Sequence, residues 1–308
     1  MSHLRRVLTD YLRLRRALGF KLDRMARLLP EFVGFLEAAG ATTVTTELAL
    51  AWATQPPKDR ATWNAGRLDL VRGFAEHLSA LDPTTEVPPA DLLVRRPVRA
   101  EPYLYTDAEI AALLAAARAI PSPLRAATYE TFVGLLAVTG MRVGEAIGLD
   151  RTDLDWTHGL LTIRGAKFGK SRELPLAAST LAALRCYADA RDRLCVRPQA
   201  PSFFVSTAGT RLQYQNVHFE YLHLAGHAGL GARSSRCRPR PHDLRHTFAV
   251  RTLMDWYRQG VDVQARMPLL STYLGHVDPS ETYWYLQAAP ELVVLAAAKL
   301  SAPWESPS

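Results

Sequence analysis

Residues 241–249, Pro-His-Asp-Leu-Arg-His-Thr-Phe-Ala, place His242 and Arg245 three positions apart at the start of a helical stretch. Side chains at that spacing share one helix face. Alone, the pair is equally well explained as a solvated face. Its neighbours change the reading. Upstream, Thr-Gly-Met-Arg-Val-Gly-Glu-Ala-Ile-Gly-Leu (139–149) carries Arg142 and Glu145, and Arg-Gly-Ala-Lys-Phe-Gly-Lys-Ser-Arg-Glu-Leu-Pro-Leu (164–176) carries Lys167. Downstream, Tyr-Leu-Gly-His (273–276) ends in His276, and Glu-Thr-Tyr-Trp-Tyr-Leu (281–286) contains Tyr285.

Two arginines, two histidines, a hairpin lysine and a late tyrosine are the parts needed to move a phosphoryl group onto a tyrosine without a metal. Negative charge spreads over the phosphodiester oxygens in the transition state, and paired guanidiniums can hold two of them through bidentate bonds. A free phenol has a pKa of about 10, so attack at neutral pH is helped by a base or a strongly positive pocket. The leaving 5′-oxygen needs a proton, a task suited to Lys167 on a hairpin that reaches the bridging oxygen.

The surrounding elements are mainly helical. Leu4, Val7, Leu8, Tyr11 and Leu12 follow helical spacing among arginines, and further helices start near Met25, Thr46 and Trp63. Between Asp82 and Pro102, five prolines and three arginines interrupt the periodicity, the pattern of a linker. The expected division is a helical domain over 1–82, a linker over 83–102 and a second domain over 103–308. In the second, Thr106 with Glu109 forms a capping-box signature, a helix runs from about Leu124 to Thr139, and residues 160–164 and 172–176 read as a β-hairpin. The fold class expected is mainly α with a small β-sheet.

Taken in order, these motifs resemble the tyrosine recombinases of the phage-integrase and Xer-like family, including its transposase members. The match covers most of residues 106–290. The resemblance puts Arg142 in the first-arginine position of the catalytic pocket, Glu145 in the supporting carboxylate position, His242 and Arg245 in the HxxR motif, and His276 after the Tyr-Leu-Gly. The nucleophile lies among Tyr273, Tyr283 and Tyr285. The family's usual interval of nine residues after the second histidine selects Tyr285. Asp278, Pro279 and Glu281 mark a helix start, so Tyr283 and Tyr285 point about 200° apart and only one can face the phosphate. For the lysine, Lys167 and Lys170 compete, and the family's K-x-x-K-x-R-x-x-P-L pattern selects Lys167, although Phe168 stands where a glycine is usual. Lys170 and Arg172 then read as DNA-backbone contacts or as solvated charges. Arg233, Arg236, Arg238 and Arg240, in a stretch without an acid before His242, read either as a solvated loop or as phosphate contacts.

The resemblance implies a C-shaped clamp, with a helical core-binding domain and an α+β catalytic domain on opposite sides of a duplex. It implies one-strand cleavage to a 3′-phosphotyrosine, no metal or nucleotide cofactor, and self-association on double-stranded DNA in a synaptic tetramer, with a partner recombinase as a further possibility. Two competitors share the features: an architectural DNA-binding protein of this fold, and a topoisomerase-like enzyme that nicks and reseals one duplex. The segment Thr-Tyr-Trp-Tyr-Leu resembles the transposase-type members. Residues 290–308 hold an apolar cluster that packs in cis or docks on a neighbouring subunit.

Other features of the sequence carry no comparable signal. Gly165 to Ser171 has three residues between its glycines where a phosphate-binding loop needs four, and no helix signal follows. His218, His223 and His227 lack a completing ligand for a metal site. Three cysteines without Cys-x-x-Cys spacing support neither a disulfide framework nor a four-cysteine zinc site. The net charge of +7 permits an anionic partner without specifying it. No apolar run approaches the roughly 18–20 residues that span a bilayer, and the expectation is a cytoplasmic protein, associated with the nucleoid when on DNA.

Overall fold

The computed structural model describes residues 2–20, 22–55, 61–93, 100–165, 171–195, 197–276, 278, 280–288, 292 and 294. It is mainly helical with one three-stranded sheet. The chain divides into two compact units, 1–99 and 100–308.

The first unit holds four helices: α1 (His3–Ala17), α2 (Asp23–Ala38), α3 (Thr46–Thr54) and α4 (Ala61–Ser79). On α1, Leu4, Val7, Leu8, Tyr11 and Leu12 form the buried stripe that the spacing predicts, and Arg5, Arg6, Arg13 and Arg16 stay exposed. That stripe packs with Leu29, Phe32 and Leu36 of α2, Trp52 of α3, and Val71, Phe74 and Leu78 of α4. The proline-rich stretch after α4 is less independent than its composition implies. Glu86 donates its backbone N–H to the Val44 carbonyl (2.9 Å) and accepts from the Thr46 N–H (2.7 Å), while the Thr43 and Thr85 hydroxyls lie 2.7 Å apart. Those bonds fasten residues 85–86 to the first unit. Arg95, Arg96 and Arg99 lie outside the described residues.

In the second unit, α5 (Asp107–Arg118) opens with the capping box read from sequence: the Glu109 N–H donates to Thr106 Oγ1, and Glu109 Oε2 accepts from the Thr106 N–H. Helix α6 (Pro123–Thr139) stops at Gly140, whose φ of +61° lies in the left-handed region. A Cβ there would sit 2.5 Å from Phe248, so glycine is required twice over. After the short α7 (Val143–Gly148), the sheet forms from β1 (Leu154–Asp155), β2 (Leu160–Ile163) and β3 (Arg172–Pro175), all antiparallel. Leu161 pairs with Leu174 and Ile163 with Arg172, which turns Leu161, Ile163 and Leu174 into the core. Helices α8 (Ala178–Leu194) and α9 (Tyr214–His227) complete this core. A smaller apolar cluster joins α10 (Asp243–Arg258), α11 (Val263–Leu274) and α12 (Ser280–Ala288) through Ala249, Leu253, Met267, Leu270, Leu274 and Tyr285. Of the C-terminal apolar cluster, Leu292 is buried among these residues and Val294 is exposed.

Candidate active site

The site is organised by the C-terminal turn of α11. The last carbonyls of a helix have no partner within it, and that end carries partial negative charge, so cations are favoured there. Here three consecutive carbonyls each receive an arginine. Tyr273 O accepts from Arg172 Nε (2.8 Å), Leu274 O from Arg245 Nη2 (2.8 Å) and Gly275 O from Arg142 Nη2 (3.1 Å). Arg245 also donates through Nη1 to the Gly140 carbonyl at the end of α6 (3.0 Å). Gly275 closes α11 with φ +69°, and a Cβ on it would lie 2.6 Å from Arg172 Nη1. The Tyr-Leu-Gly-His motif therefore supplies two arginine-holding carbonyls, a glycine that passes under Arg172 and holds a third, and then His276.

Glu145 ties the arginines together. It lies in the first turn of α7, where its carboxylate accepts the Arg142 backbone N–H (2.8 Å) and Arg142 Nη1 (3.0 Å). Arg172 reaches it from β3 with two further bonds, Nη1 to Oε1 at 3.0 Å and Nη2 to Oε2 at 2.8 Å. Burial alone would raise the Glu145 pKa. The bonds from Arg172 and the Arg142 backbone, with both positive charges, hold it below the ordinary carboxylate value.

Both histidines are kept neutral. Burial first, then the charges of Arg245 and Arg142, lower His242 to about 4 and His276 to about 3. His276 Nδ1 lies 2.6 Å from Thr282 Oγ1, which fixes the ring. Burial also lowers Arg245, to about 10, partly offset by the adjacent Tyr285 phenol and by Glu145. It stays charged at neutral pH.

The three tyrosines separate cleanly. Tyr285 is 2% exposed, with its ring stacked on His276 (centroids 5.9 Å apart, 24° between planes) and edge-on to His246 at 5.4 Å. Tyr283, two residues earlier on α12, is 46% exposed. Tyr273 stacks on Phe248. The structure thus brings together Arg142, Glu145, His242, Arg245, His276 and Tyr285. Lys167 and Lys170 lie outside the described residues.

Of the arginines read as DNA contacts or solvated charges, Arg172, Arg233 and Arg240 have partners within the protein. All three nitrogens of the Arg172 guanidinium are used, on Glu145 and Tyr273. Arg233 lies 3.9 Å over the Tyr103 ring and donates to Leu104 O and both Glu109 oxygens. Arg240 grips the fully buried Asp243 through Nε and Nη2. Arg236 and Arg238 have exposed side chains. Sequence reasoning also missed Thr282, the partner of His276, and His246, whose ring meets those of His242, Trp284 and Tyr285. A threonine six positions after a site histidine, on the helix that carries the tyrosines, was the available signal for Thr282. No helix among the described residues is long and apolar enough to cross a membrane.

Comparison with known proteins gives the family. Residues 104–291 match the phage integrase family. The chain is 44% identical over 311 residues to the putative integrase/recombinase y4rB of Sinorhizobium fredii, covering 99% of each. It is 30% identical over 217 residues to tyrosine recombinase XerD of Ralstonia nicotianae, covering 70% of this chain and 64% of that one. Among solved structures, the XerH site-specific recombinase bound to palindromic difH in a post-cleavage complex is similar at TM-score 0.63 and 18% identity, over 92% of this chain and 80% of that one. A lambda integrase tetramer bound to a Holliday junction is similar at TM-score 0.58 and 18% identity, over 99% and 80% respectively. The chain belongs to the phage integrase family, the tyrosine recombinases that transfer DNA strands.

Proposed function

We propose that this recombinase cuts one strand of a specific DNA site with Tyr285, forming a 3′-phosphotyrosine, and rejoins the strand to a new 5′-hydroxyl. The observation that carries this reading is Tyr285 held against His276 and Arg245 beside Arg142, with both arginines anchored on the end of α11. Arg142 and Arg245 would bind non-bridging phosphate oxygens and stabilise the charge that grows on them. His242, neutral and buried next to these cations, accepts the proton from Tyr285 Oη as that oxygen bonds to phosphorus. The bond from phosphorus to the 5′-oxygen then breaks, and Lys167 protonates the leaving oxygen. His276, oriented by Thr282, donates from its other ring nitrogen to the phosphate. Attack by an incoming 5′-hydroxyl reverses the sequence. The phosphotyrosine conserves the energy of the broken bond, so no ATP is needed, and the fixed arginines take the charge-stabilising part of a metal.

The reading extends to partners. Solved relatives of this fold are a lambda integrase tetramer on a Holliday junction and XerH on difH DNA, which supports double-stranded DNA as the substrate and a tetramer, of this chain or with a second recombinase, as the working assembly. We assign the role to integration or transposition of a mobile element, following the Thr-Tyr-Trp-Tyr-Leu resemblance.

Covalent trapping tests the reading. Wild type and Tyr285→Phe are incubated in EDTA with a library of nicked duplexes cut from host genomic DNA, then denatured and digested for mass spectrometry. An adduct on Tyr285, absent from the variant, is expected, and sequencing the attached DNA gives the site. An adduct on Tyr283 would replace the nucleophile. Tight DNA binding without any adduct would favour an architectural role.

A further inference from the structure

Residues 101–105, at the start of the second unit, are bonded to the chain on both sides of His242. Glu101 donates its N–H to Arg236 O (3.1 Å), and Arg233 Nη1 donates to Leu104 O (3.0 Å). Tyr105 makes three such bonds: its N–H donates to Thr247 Oγ1 (3.0 Å), its carbonyl accepts from Arg251 Nη2 (2.8 Å), and its hydroxyl donates to Arg240 O (3.1 Å). That last carbonyl, two residues before His242, also accepts the Asp243 N–H at 3.0 Å. Tyr105 therefore reaches the turn that presents His242 and the first turn of the helix that carries Arg245.

A charge-based fastening holds the assembly closed. Residues 231–240 contain four arginines and no acid, so the loop repels itself and needs carboxylates from elsewhere. Asp243 takes Arg240 at one end. At the other, Glu109 takes Arg233 with both oxygens (2.9 and 3.0 Å) and also accepts from the Tyr103 hydroxyl (2.7 Å), while the Arg233 guanidinium covers the Tyr103 ring. The same carboxylate caps α5 through Thr106. One acid thus joins the start of α5, the segment 101–105 and the loop before His242.

We infer that Arg233 and Glu109 form a latch that positions His242 for strand cleavage. Both act as positioning residues, through the loop and Arg240, and Arg233, although its side chain is 44% exposed, is held on Glu109 and is not a phosphate contact. The inference rests on the proposed strand-cutting reaction. Misplacing a reacting group by about 1 Å can cost roughly a hundredfold in rate, so a loosened loop is costly even when DNA still binds.

The test compares full-length wild type, Arg233→Ala, Glu109→Gln and the double variant. Glutamine also serves in a capping box, so Glu109→Gln removes the charge while keeping α5 capped. Two quantities are read: the single-turnover rate of covalent-complex formation on the nicked genomic library, and affinity for a random-sequence duplex across a salt series. We expect both single variants to cleave about tenfold or more slowly, the double to be no slower than the slower single, and affinity and salt slope to match wild type. Arg233→Ala binding more weakly, with its salt slope reduced by about one while Glu109→Gln behaves as wild type, would make Arg233 a phosphate contact and overturn the latch. A wild type that cuts, with both single variants equally fast, removes the latch alone. A wild type that forms no adduct removes the cutting reaction and the latch with it.

Discussion

Arg172→Ala discriminates most sharply between charge read from sequence and charge placed by structure. In sequence, Arg172 sits beside Lys170 on a hairpin and reads as a DNA-backbone contact or a solvated charge; in the structure its side chain is 12% exposed and Glu145 is 9% exposed. Removing the guanidinium deletes both bonds to the carboxylate and the one to Tyr273 O, leaving Glu145 with Arg142 alone among its charged partners. Breaking a buried ion pair from one side costs about 3–5 kcal/mol, and the surviving Arg142 bonds put this case near the lower end. A domain of this size loses about 2–4 °C per kcal/mol, so the midpoint should fall by roughly 10 °C. Thermal unfolding followed by circular dichroism measures that, with a salt series of DNA binding run alongside. A variant that melts with wild type while its salt slope falls by about one would refute the reasoning and restore Arg172 as a phosphate contact.

Three further outcomes are expected. His242 and His276 have folded pKa values below the unfolded value of about 6.5, so the unfolded chain binds more protons as pH falls through 6.5 towards 4; stability is full above 6.5 and is lost below it. At pH 5 this costs about 2 kcal/mol per histidine, and urea unfolding at pH 7 and pH 5 should show a smaller drop for His276→Asn than for wild type. Gly275→Ala should destabilise the protein by about 1–3 kcal/mol more than Gly260→Ala, because both glycines have positive φ but only at Gly275 does the new Cβ strike Arg172; equal losses would mean the arginine moves aside freely. Thr282→Val should slow covalent-complex formation with unchanged DNA affinity, since it removes the 2.6 Å partner of His276 Nδ1 from a buried position, and a variant with unaltered cleavage would dissociate the threonine from the site.

What the sequence disclosed, and what it concealed, follows the range of the interactions. The α1 stripe, the Thr106–Glu109 cap and the hairpin depend on residues a few positions apart, and each is present. The contrast between Tyr283 and Tyr285 was legible for the same reason: two positions on a helix face opposite ways, and one is exposed while the other is buried. The fates of Arg172, Arg233 and Arg240 were not equally accessible. Arg172 meets Glu145 across 27 positions and Arg233 meets Glu109 across 124, and a basic run carries no mark of the distant acid that will neutralise it. Arg240 meets an acid only three positions away, Asp243, which a search for basic runs passes over because it lies beyond His242. The docking of three arginines on α11 was hidden for another reason. Backbone carbonyls are present at every residue, so composition cannot distinguish those left open at a helix end.

That docking has a thermodynamic consequence for substrate binding. Carbonyl oxygens orient a guanidinium without cancelling its charge, so Arg142, Arg172 and Arg245, opposed by the buried Glu145 and the partly exposed Glu281 beside His276, leave the described part of the resting pocket with a surplus of positive charge. Burial first, and then this same surplus, suppresses protonation of His242 and His276. A phosphodiester entering the pocket brings negative charge and offsets the electrostatic part of that suppression, so DNA binding is linked to proton uptake. Affinity for the cleavage site should therefore strengthen as pH falls towards 6, and the heat of binding should vary with the ionisation enthalpy of the buffer.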